Sequence, residues 1–400
     1  MTTIVSTNDF HSSLSDGRAT LSAIQSWREQ GAVIVDAGDF FGGCAFHEFS
    51  QGQAEHRLMA LLYDYRVPGN HDLRDFGKIP EDARYPTVLC ANMRPRLPFP
   101  GRWIGSALVT AAPPVGLVGF LGRQAFESAD ADDQALFEFS EPTPELLRSH
   151  SDRLRSAGAE YLVGVSHSGF RRDVELQERE NLFDLILSGH CHSGDFLWVS
   201  PKSTAHVAKA PELGAGYLRA DLLPGGQIII TFDRPARGEG EGLPPFVAEA
   251  LGEFAAWARM PLCRLERSMP DREEVARWLA SSASMHLHGT VLFNLGAFRR
   301  GLPELVDQGA IANALPFDSP IVRCHGAWPV ATIAEAAAAK GERPIVHLTD
   351  EFGRNGYIYT TRYLAKALDL SISAEVGDLT LRSLVAVSAG RSDASSSGDK

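Results

Sequence analysis

Basic residues and cysteines are both scarce in this chain of 400 residues. Lysine and arginine together number 38 against 50 aspartates and glutamates, which gives a formal net charge of −12. That balance argues against a nucleic-acid polymer as a partner, because binding to a phosphate backbone depends on Lys and Arg. Only five cysteines occur and none form a CxxC pair, so the pattern favours reduced thiols over a disulfide framework.

An export signal and a long apolar segment are also missing. The first residues, Met1-Thr2-Thr3, lead directly into Ile4-Val5 without a basic or apolar leader. Residues 103–122 carry no charge, but prolines at their middle suit two buried strands joined by a turn better than a membrane span. We therefore expect a cytoplasmic protein without a membrane partner.

Short apolar runs alternate with amphipathic segments through the first part of the chain. Residues 3–7, 32–37 and 161–165 are typical of strands, whereas residues 19–30 and 143–157 have helical patterns. Alternation of this kind predicts an α/β layered domain. The spacing therefore places a first domain over residues 1–233.

A segment rich in Gly, Pro and charge follows the last strand of that domain. Its composition predicts a linker and a connecting helix over residues 234–260. A second, smaller domain of mixed character is expected over residues 261–388. Residues 389–400 are mainly Ser, Asp and Gly, which predicts a disordered tail.

Five motifs place metal-ligating side chains directly after apolar runs, where α/β sheets carry their sites. The side chains are imidazoles, carboxylates and one amide, which suit borderline divalent ions such as Zn, Mn or Fe. A His or Asp taken alone is usually structural, and the pair His286 and His288 is an example that we interpret as structural. Five motifs in order favour a metal site whose candidate ligands are Asp9, His11, Asp39, Asn70, His167, His190 and His192.

Seven ligands are enough for two ions held about 3.5–4 Å apart, the separation of two-metal hydrolases. Two cations at that distance need a bridging anion, and Asp39 on its glycine turn is the best candidate. Asp9 and His11 alternate on an extended segment, so both would point to one ion. The pair His190 and His192 repeats this spacing and could serve the two ions separately.

Asn70 and His167 would complete the coordination of the second ion. The neighbouring His71 should diverge from Asn70 and reach over the substrate as a catalytic group that stabilises the phosphoryl group or protonates the leaving oxygen.

The pattern D-x-H, G-D, G-N-H-[DE], H and G-H-x-H resembles the calcineurin-like metallophosphoesterase superfamily. The flanking residues 6–11, 165–169 and 185–190 are similar to its 5′-nucleotidase branch, which includes UDP-sugar hydrolases and 2′,3′-cyclic nucleotide phosphodiesterases. This resemblance implies a four-layer α/β sandwich followed by a smaller α+β substrate-binding domain. It also implies two divalent metal ions of the Mn, Zn, Fe or Co class.

Motifs in the second region resemble the substrate-binding motifs of the same branch. Residues 294–299 match N-x-G-x-x-R, residues 315–317 match L-P-F, and residues 352–357 resemble a shortened aromatic motif. Carried over, the resemblance assigns the phosphate to Arg299, the nucleoside to Asn294, and the two faces of the base to Phe317 and Phe352. Two further arginines, Arg264 and Arg267, are candidates for an additional phosphate contact.

One position departs from the family pattern. The family commonly has an Asp three residues beyond the motif His, but here that position is Arg74 and Asp75 comes one later. Either Asp75 orients His71 through a one-residue bulge, or His71 is held differently.

These features together predict a metal-dependent phosphohydrolase of nucleotide catabolism. Its expected reaction is the release of phosphate from a nucleoside 5′-monophosphate, or a close analogue, by attack of a metal-activated water. Three alternatives remain open. They are a phosphodiesterase or pyrophosphohydrolase acting on cyclic nucleotides or UDP-sugars, a phosphatase for a non-nucleotide ester, and a non-catalytic nucleotide-binding protein.

Overall fold

The computed structural model divides the chain into two compact units, Met1–Gly252 and Glu253–Lys400. It describes residues 1–79, 85–193, 196–236, 242–325, 330–339, 343–347 and 357–395. The division falls within a helix, Pro245–Ala258, and thus inside the segment 234–260 that the composition predicts to connect two domains.

The first unit alternates strands and helices, as the sequence predicts. Its strands are β1 (Thr2–Thr7), β2 (Val33–Asp36), β3 (Tyr65–Arg66), β4 (Thr87–Leu89), β5 (Met93–Pro95), β6 (Trp103–Ile104), β7 (Ser106–Val109), β8 (Val115–Leu121), β9 (Phe137–Phe139), β10 (Tyr161–His167), β11 (Leu185–Ser188), β12 (Leu197–Val199), β13 (His206–Ala208), β14 (Tyr217–Leu222) and β15 (Ile228–Asp233). Its helices are α1 (Leu14–Glu29), α2 (Ala45–Ser50), α3 (Gln53–Leu62), a 3₁₀ helix (Asn70–Lys78), α4 (Arg123–Ser128), α5 (Ala131–Gln134), α6 (Pro144–Ser156) and α7 (Phe170–Glu180), and α8 is Pro245–Ala258.

Two sheets form the centre of this unit. The first has the order β15-β14-β1-β2-β3-β4-β6 and the second has the order β12-β13-β11-β10-β8-β7. Apolar side chains from both sheets make one buried cluster between them, while the outer face of the second sheet packs against α6 and α7. Helices α1 and α3 contact each other, and α1 packs on β2 of the first sheet. The predicted four-layer sandwich is confirmed.

Strand β8 is an uninterrupted apolar run that contributes side chains to two buried clusters. Val115 and Leu117 point into the cluster between the sheets, whereas Val118 and Phe120 belong to the cluster beneath the helices. Both faces of the strand are therefore buried, as expected for a central strand of a covered sheet. The strand pairs antiparallel with β7. With β6, residues 103–122 hold three strands where the sequence predicts two. Among the described residues no helix is both long and apolar enough to cross a membrane.

The second unit is smaller and contains both strands and helices. Its strands are β16 (Pro261–Arg264), β17 (Thr290–Asn294), β18 (Leu305–Asp307), β19 (Pro320–His325), β20 (Pro344–His347), β21 (Tyr357–Thr361) and β22 (Ser371–Thr380), and its helices are α9 (Arg272–Leu287), α10 (Gln308–Ala314), α11 (Val330–Ala339), α12 (Arg362–Ala367) and α13 (Leu381–Ser395). A sheet of order β20-β17-β21-β19-β22 shares a buried apolar cluster with α9 and α13. The predicted α+β character is confirmed.

The carboxyl terminus differs from the predicted disordered tail over 389–400. Helix α13 continues to Ser395 because its earlier turns pack on the core through Leu381, Leu384 and Val385. The last five positions, 396–400, lie outside the described residues.

Candidate metal centre

The candidate ligands lie at strand ends, or on the loops and the 3₁₀ helix that follow them, in both sheets of the first unit. The loop after β1 is hydrogen-bonded along the loop after β2: Asp9 N donates to Gly38 O at 2.9 Å and His11 N donates to Asp39 O at 2.9 Å. In the second sheet, Gly189 N after β11 donates to Ser166 O of β10 at 2.9 Å. Main-chain hydrogen bonds therefore hold these loops against one another without any contribution from side chains.

Four candidate ligands have a left-handed backbone. The φ angles are 48° at Asp9, 50° at His11, 56° at Asp39 and 81° at His190. Such angles are uncommon for residues with a Cβ and collect at functional sites. The prediction that Asp9 and His11 alternate on an extended segment is therefore wrong, because the chain turns sharply after β1. The turn nevertheless brings both side chains to the same cluster.

The structure brings all seven predicted ligands and His71 together. The carboxylates and imidazoles form three overlapping groups, and within each group the ligand atoms lie within 4.8 Å of one another. The groups are Asp9 with His11 and His192, His11 with Asp39 and His71, and Asp39 with His167 and His190. Asn70 joins the last group, since its Oδ1 lies 3.1 Å from Nδ1 of His190. Asp39 belongs to two groups, as expected of a bridging carboxylate.

The hydrogen bonding of His167 tests whether the cluster suits a cation. Its Nδ1 donates to the carbonyl oxygen of Ala37 at 2.8 Å, so Nε2 is the ring nitrogen that faces the cluster. Nε2 lies 3.2 Å from Oδ2 of Asp39, and both side chains are buried. Two such atoms need a positive charge between them, which either a proton on Nε2 or a metal ion supplies. The arrangement therefore fits a divalent cation.

The electrostatics of the cluster agree with this reasoning. Burial acts to raise the pKa of Asp39, but the imidazoles of His167, His71 and His11 outweigh it and hold the pKa well below its usual value. Burial would lower the pKa of His167, yet Asp39 raises it to about 10. Burial and the neighbouring His167 lower the pKa of His190 to about 3. The cluster thus stabilises positive charge beside Asp39, which bound metal ions would supply.

Burial also dominates at Asp9, where it raises the pKa to about 6. This carboxylate is held from two sides. Asn8 Nδ2 donates to Asp9 Oδ2 at 2.7 Å, and His190 N lies 3.1 Å from both carboxylate oxygens. Asn8 is itself fixed, because its Oδ1 accepts from Ala210 N at 2.7 Å.

Beneath the cluster, Asp72 organises the loops that carry Asp39 and Asn70. Its Oδ2 accepts from Asp39 N at 3.0 Å and from Gly69 N at 2.8 Å, and its Oδ1 accepts from Phe41 N at 3.1 Å. The guanidinium of Arg66 pairs with the same carboxylate at 2.5 Å, and both side chains are almost completely buried. Asp72 stands inside a motif that the sequence singles out, but its buried partner Arg66 carries no sequence signal.

A second buried carboxylate ties together the strand ends of the other sheet. Asp173 on α7 accepts from Ser166 Oγ at 2.7 Å and from Ser188 Oγ at 2.5 Å. Ser166 is the penultimate residue of β10, before His167, and Ser188 is the last residue of β11, before Gly189. Burial raises the pKa of Asp173 to about 7. Sequence reasoning missed this residue, because an acidic residue in the first turn of a helix is ordinary.

The two residues proposed from the sequence as a catalytic pair have separate surroundings. The ring of His71 lies against that of His11 at 5.1 Å between centroids, and its main-chain N donates to Asp39 Oδ1 at 2.8 Å. Asp75 contacts His47 Nε2 through Oδ2 and Lys78 Nζ through Oδ1, each at 2.9 Å. Both carboxylate oxygens of Asp75 thus have these partners, and its orientation of His71 stays a prediction.

In the second unit, two of the predicted substrate residues come together. The guanidinium of Arg299 lies over the ring of Phe317 at 5.7 Å from its centroid, and Arg299 N donates to Ala314 O at 2.8 Å. Burial and the nearby Arg272 lower the pKa of Arg299. Within the described part of the chain Arg299 has no carboxylate partner, and Phe317 is half-buried rather than part of the core.

The remaining predicted substrate residues have structural contacts or lie outside the description. Oδ1 of Asn294 accepts from Gly296 N at 3.1 Å and from Arg343 N at 3.3 Å, so this oxygen caps a turn. Two exposed arginines pair with neighbouring carboxylates: Arg264 with Glu304 at 3.6 Å, and Arg267 with Glu274 at 2.5 Å. Phe352 lies outside the described residues.

A cavity of about 380 Å³ opens beside the cluster. It is lined by Gln124, Ser168, Gly169, Arg171, Arg172, His190 and Cys191. His190 therefore faces both the candidate metal ligands and an open space that carries two arginines.

Residues 2–194 match the model of the calcineurin-like phosphoesterase family. This region contains every candidate metal ligand, so the first unit carries a calcineurin-like phosphoesterase domain. Within that class the chain is homologous to 5′-nucleotidases. The resemblance predicted from the motifs is thus confirmed.

Two relatives illustrate the extent of the similarity. The chain is 23% identical over 285 residues to the 5′-nucleotidase of Homo sapiens, a match that covers 64% of this chain and 46% of that protein. It is 26% identical over 185 residues to the snake venom 5′-nucleotidase of Naja atra, covering 44% of this chain and 34% of that protein. The chain thus spans between a third and a half of the length of these relatives.

The fold is shared more completely with a solved structure. The 5′-nucleotidase precursor from Thermus thermophilus superposes with a TM-score of 0.77 at 18% identity, covering 98% of this chain and 96% of the other. At this identity the similarity shows the fold alone, and it extends over both units.

Proposed function

We propose that this protein is a metal-dependent phosphohydrolase that releases phosphate from a nucleoside 5′-monophosphate or a close analogue. One observation carries the proposal: a buried carboxylate, Asp39, lies among imidazoles, and Nε2 of His167 faces it at 3.2 Å. The family match over residues 2–194 and the names of the homologous 5′-nucleotidases support the same conclusion.

The residues of the first unit would bind two metal ions. Asp9, His11 and His192 would hold one ion, and Asn70, His167 and His190 the other, with Asp39 shared. Divalent ions bound there would polarise the phosphoryl oxygens and lower the pKa of water. We expect metals of the Mn, Zn, Fe or Co class from this mixture of ligands.

His71 would act on the substrate itself. Its main chain is tied to Asp39, and its ring packs edge-on against His11, so the imidazole is held beside the reacting group. From there it would donate a proton to the leaving oxygen or stabilise charge on the phosphoryl group. A positioned acid of this kind contributes about 10²–10⁴-fold to rate.

The second unit would bind the nucleoside. Arg299, without a carboxylate partner among the described residues, is suited to a phosphate contact, and the half-buried ring of Phe317 offers a face for a base. Phe352 stays the proposed second face, and Asn294, Arg264 and Arg267 stay weaker candidates because of the contacts described above. We also propose a cytoplasmic location, which the small number of cysteines and the lack of a CxxC pair in the sequence support.

A second candidate activity is hydrolysis of nucleotide diesters or pyrophosphates. The cavity beside His190 favours it, because Arg171 and Arg172 at its edge could receive a second charged group. Both arginines pair with Glu175 at the surface, so this support is weaker than that for a monoester.

The test is phosphate release by metal-stripped protein resupplied with Mn, Zn, Co or Mg. The panel should contain nucleoside 5′-monophosphates, cyclic nucleotides, a UDP-sugar and a simple aryl phosphate. We expect metal-dependent turnover of the 5′-monophosphates, with a loss of at least about 100-fold in Asp39→Asn and in His71→Ala. The exposed Glu178→Ala on α7 is the matched control and should retain full activity.

Each other outcome has a definite meaning. Turnover of diesters alone would replace the monoesterase by the second candidate. Turnover of the aryl phosphate without preference for nucleotides would refute the nucleoside-binding role. Absence of turnover with every metal would refute the enzymatic proposal and favour a binding protein.

A further inference from the structure

Lys209 and Glu212 form an ion pair directly behind His192. Lys209 follows β13 and is completely buried, and its Nζ donates to Oε1 of Glu212. The same ammonium donates to the carbonyl oxygens of Cys191 at 2.8 Å and Ser193 at 2.7 Å. All three ammonium hydrogens thus have acceptors. One side chain therefore holds the backbone on both sides of His192.

Glu212 sets which nitrogen of His192 carries the proton. Its Oε2 lies 2.6 Å from Nδ1 of His192. Its other oxygen, Oε1, accepts from the ammonium of Lys209, so the ion-paired carboxylate acts as an acceptor towards Nδ1. The proton consequently lies on Nδ1 and the lone pair on Nε2. Carboxylates behind ligating histidines fix their orientation in this way.

The two halves of the cluster differ in how firmly they are enclosed. In the group of Asn70, His167 and His190, the side chain of His167 has an exposure of 0%. The side chain of His192, in contrast, is 39% exposed. The group of Asp9, His11 and His192 therefore contains one ligand that solvent reaches, and the position of that ligand depends on the pair behind it.

We propose that Glu212 and Lys209 are positioning residues that set the affinity of the ion held by Asp9, His11 and His192, and that this ion is the more weakly bound of the two. The inference rests on the metal site of the proposed function and on no assumption about the substrate. Its consequence is that the two ions load and exchange separately.

The experiment is a titration of the metal-free full chain with Zn²⁺ against a chromophoric chelator. We expect two binding steps in the unmodified protein. Glu212→Ala should weaken the weaker step by about 10–100-fold and leave the tighter step within about twofold. Glu212→Gln keeps an acceptor for Nδ1–H but loses the charge, so its effect should be smaller. The exposed Glu178→Ala should change neither step.

A double variant separates this role from a general effect on the fold. His192→Ala should remove the weaker step. Adding Glu212→Ala should then leave the affinity of the remaining, tighter step unchanged, because Glu212 acts through His192. An unchanged weaker step in Glu212→Ala would overturn the proposal. An equal loss in both steps would also overturn it, since that result indicates a structural role.

A spectroscopic measurement covers the case in which Glu212→Ala fails to fold. Nitrogen-15 NMR of the histidine rings in the zinc-loaded protein should show His192 protonated at Nδ1, and Glu212→Gln should alter that signal alone. Protonation at Nε2 in the unmodified protein would refute the assignment. Intact two-step binding without any hydrolysis would refute the proposed function and leave this inference standing.

Discussion

Replacing Asp72 by Asn tests whether the site is built on a buried ion pair. The carboxylate of Asp72 receives three main-chain N–H groups and pairs with Arg66 at 2.5 Å. Both side chains have 1% exposure or less, so solvent cannot replace either partner. Asn has nearly the same shape, and the substitution therefore changes charge and acceptors rather than packing.

The magnitude follows from what the substitution leaves behind. Removing one partner of a buried ion pair costs about 3–5 kcal/mol, because the other charge remains without compensation. The amide group of Asn must also face at least one of the three main-chain N–H groups, and a buried unsatisfied donor costs about 1–3 kcal/mol. These costs overlap, so we expect a loss of about 4–6 kcal/mol in the free energy of unfolding of the first unit. At about 2–4 °C per kcal/mol, Tm should fall by roughly 10–20 °C.

Calorimetry of the metal-free protein measures this loss without a contribution from metal binding. Hydrogen exchange should show faster exchange of at least one of the amides of Asp39, Phe41 and Gly69, namely of each that faces the NH2 group of the new Asn. The matched control is Asp130→Asn, which removes an exposed carboxylate from Arg74 at 3.3 Å and should cost less than about 1 kcal/mol.

The double variant Arg66→Met with Asp72→Asn gives the decisive comparison. Once Arg66 is gone, no charge is left uncompensated, so the double variant should be markedly more stable than the sum of the two single losses predicts. A single variant with unchanged Tm, or strictly additive losses, would refute the reasoning that the pair is coupled in the protein interior.

The remaining predictions concern space, proton linkage and substrate. In Gly69→Ala the new Cβ would overlap Oδ1 of Asp39, so the zinc titration should show a loss of both binding steps, whereas Gly77→Ala meets no atom within 4 Å and should bind normally. Burial raises the pKa of Asp36 from 3.8 to about 8. The folded state thus keeps a proton that the unfolded state releases, and stability falls as pH rises from about 4 to 8. Asp36→Asn cannot titrate, so calorimetry across this range should show a slope that is less negative by about 1.4 kcal/mol per pH unit; an unchanged slope would contradict the assignment. Phe317→Ala should raise KM for nucleoside monophosphates about tenfold while kcat with an aryl phosphate stays constant, and an unchanged KM would place that ring outside the substrate site.

The sequence predicts the layered fold and the membership of the metal cluster because both follow from local patterns. Alternating apolar runs mark the strands, and polar residues directly after them mark one edge of a sheet. Asp9, Asp39 and His167 are examples of candidate ligands that such a pattern can locate. The backbone conformation of the loops could not be predicted in this way, because the positive φ angles of Asp9, His11 and Asp39 arise from loop packing that no local pattern encodes.

The side chains that support the candidate ligands could not be predicted from the sequence for the same reason. Lys209 lies far along the chain from Asp9, and nothing in its sequence neighbourhood indicates that it is completely buried. Asn294 shows the opposite error of pattern reasoning: its motif predicts a contact to the nucleoside, yet its side-chain oxygen caps a turn. A motif identifies a residue type at a position, whereas its partners depend on the closed fold.

The hydrogen bond between Asp9 and His190 joins residues that lie 181 positions apart in the chain. A pair of ions held among such residues would act as a removable crosslink between the two sheets, closing a loop far longer than most disulfides close. The site is therefore one of the last features of the first unit that a growing chain can complete, since the first ligands must wait for β11 to be synthesised. Folding of the two sheets and loading of metal would then be thermodynamically linked, so that each raises the probability of the other.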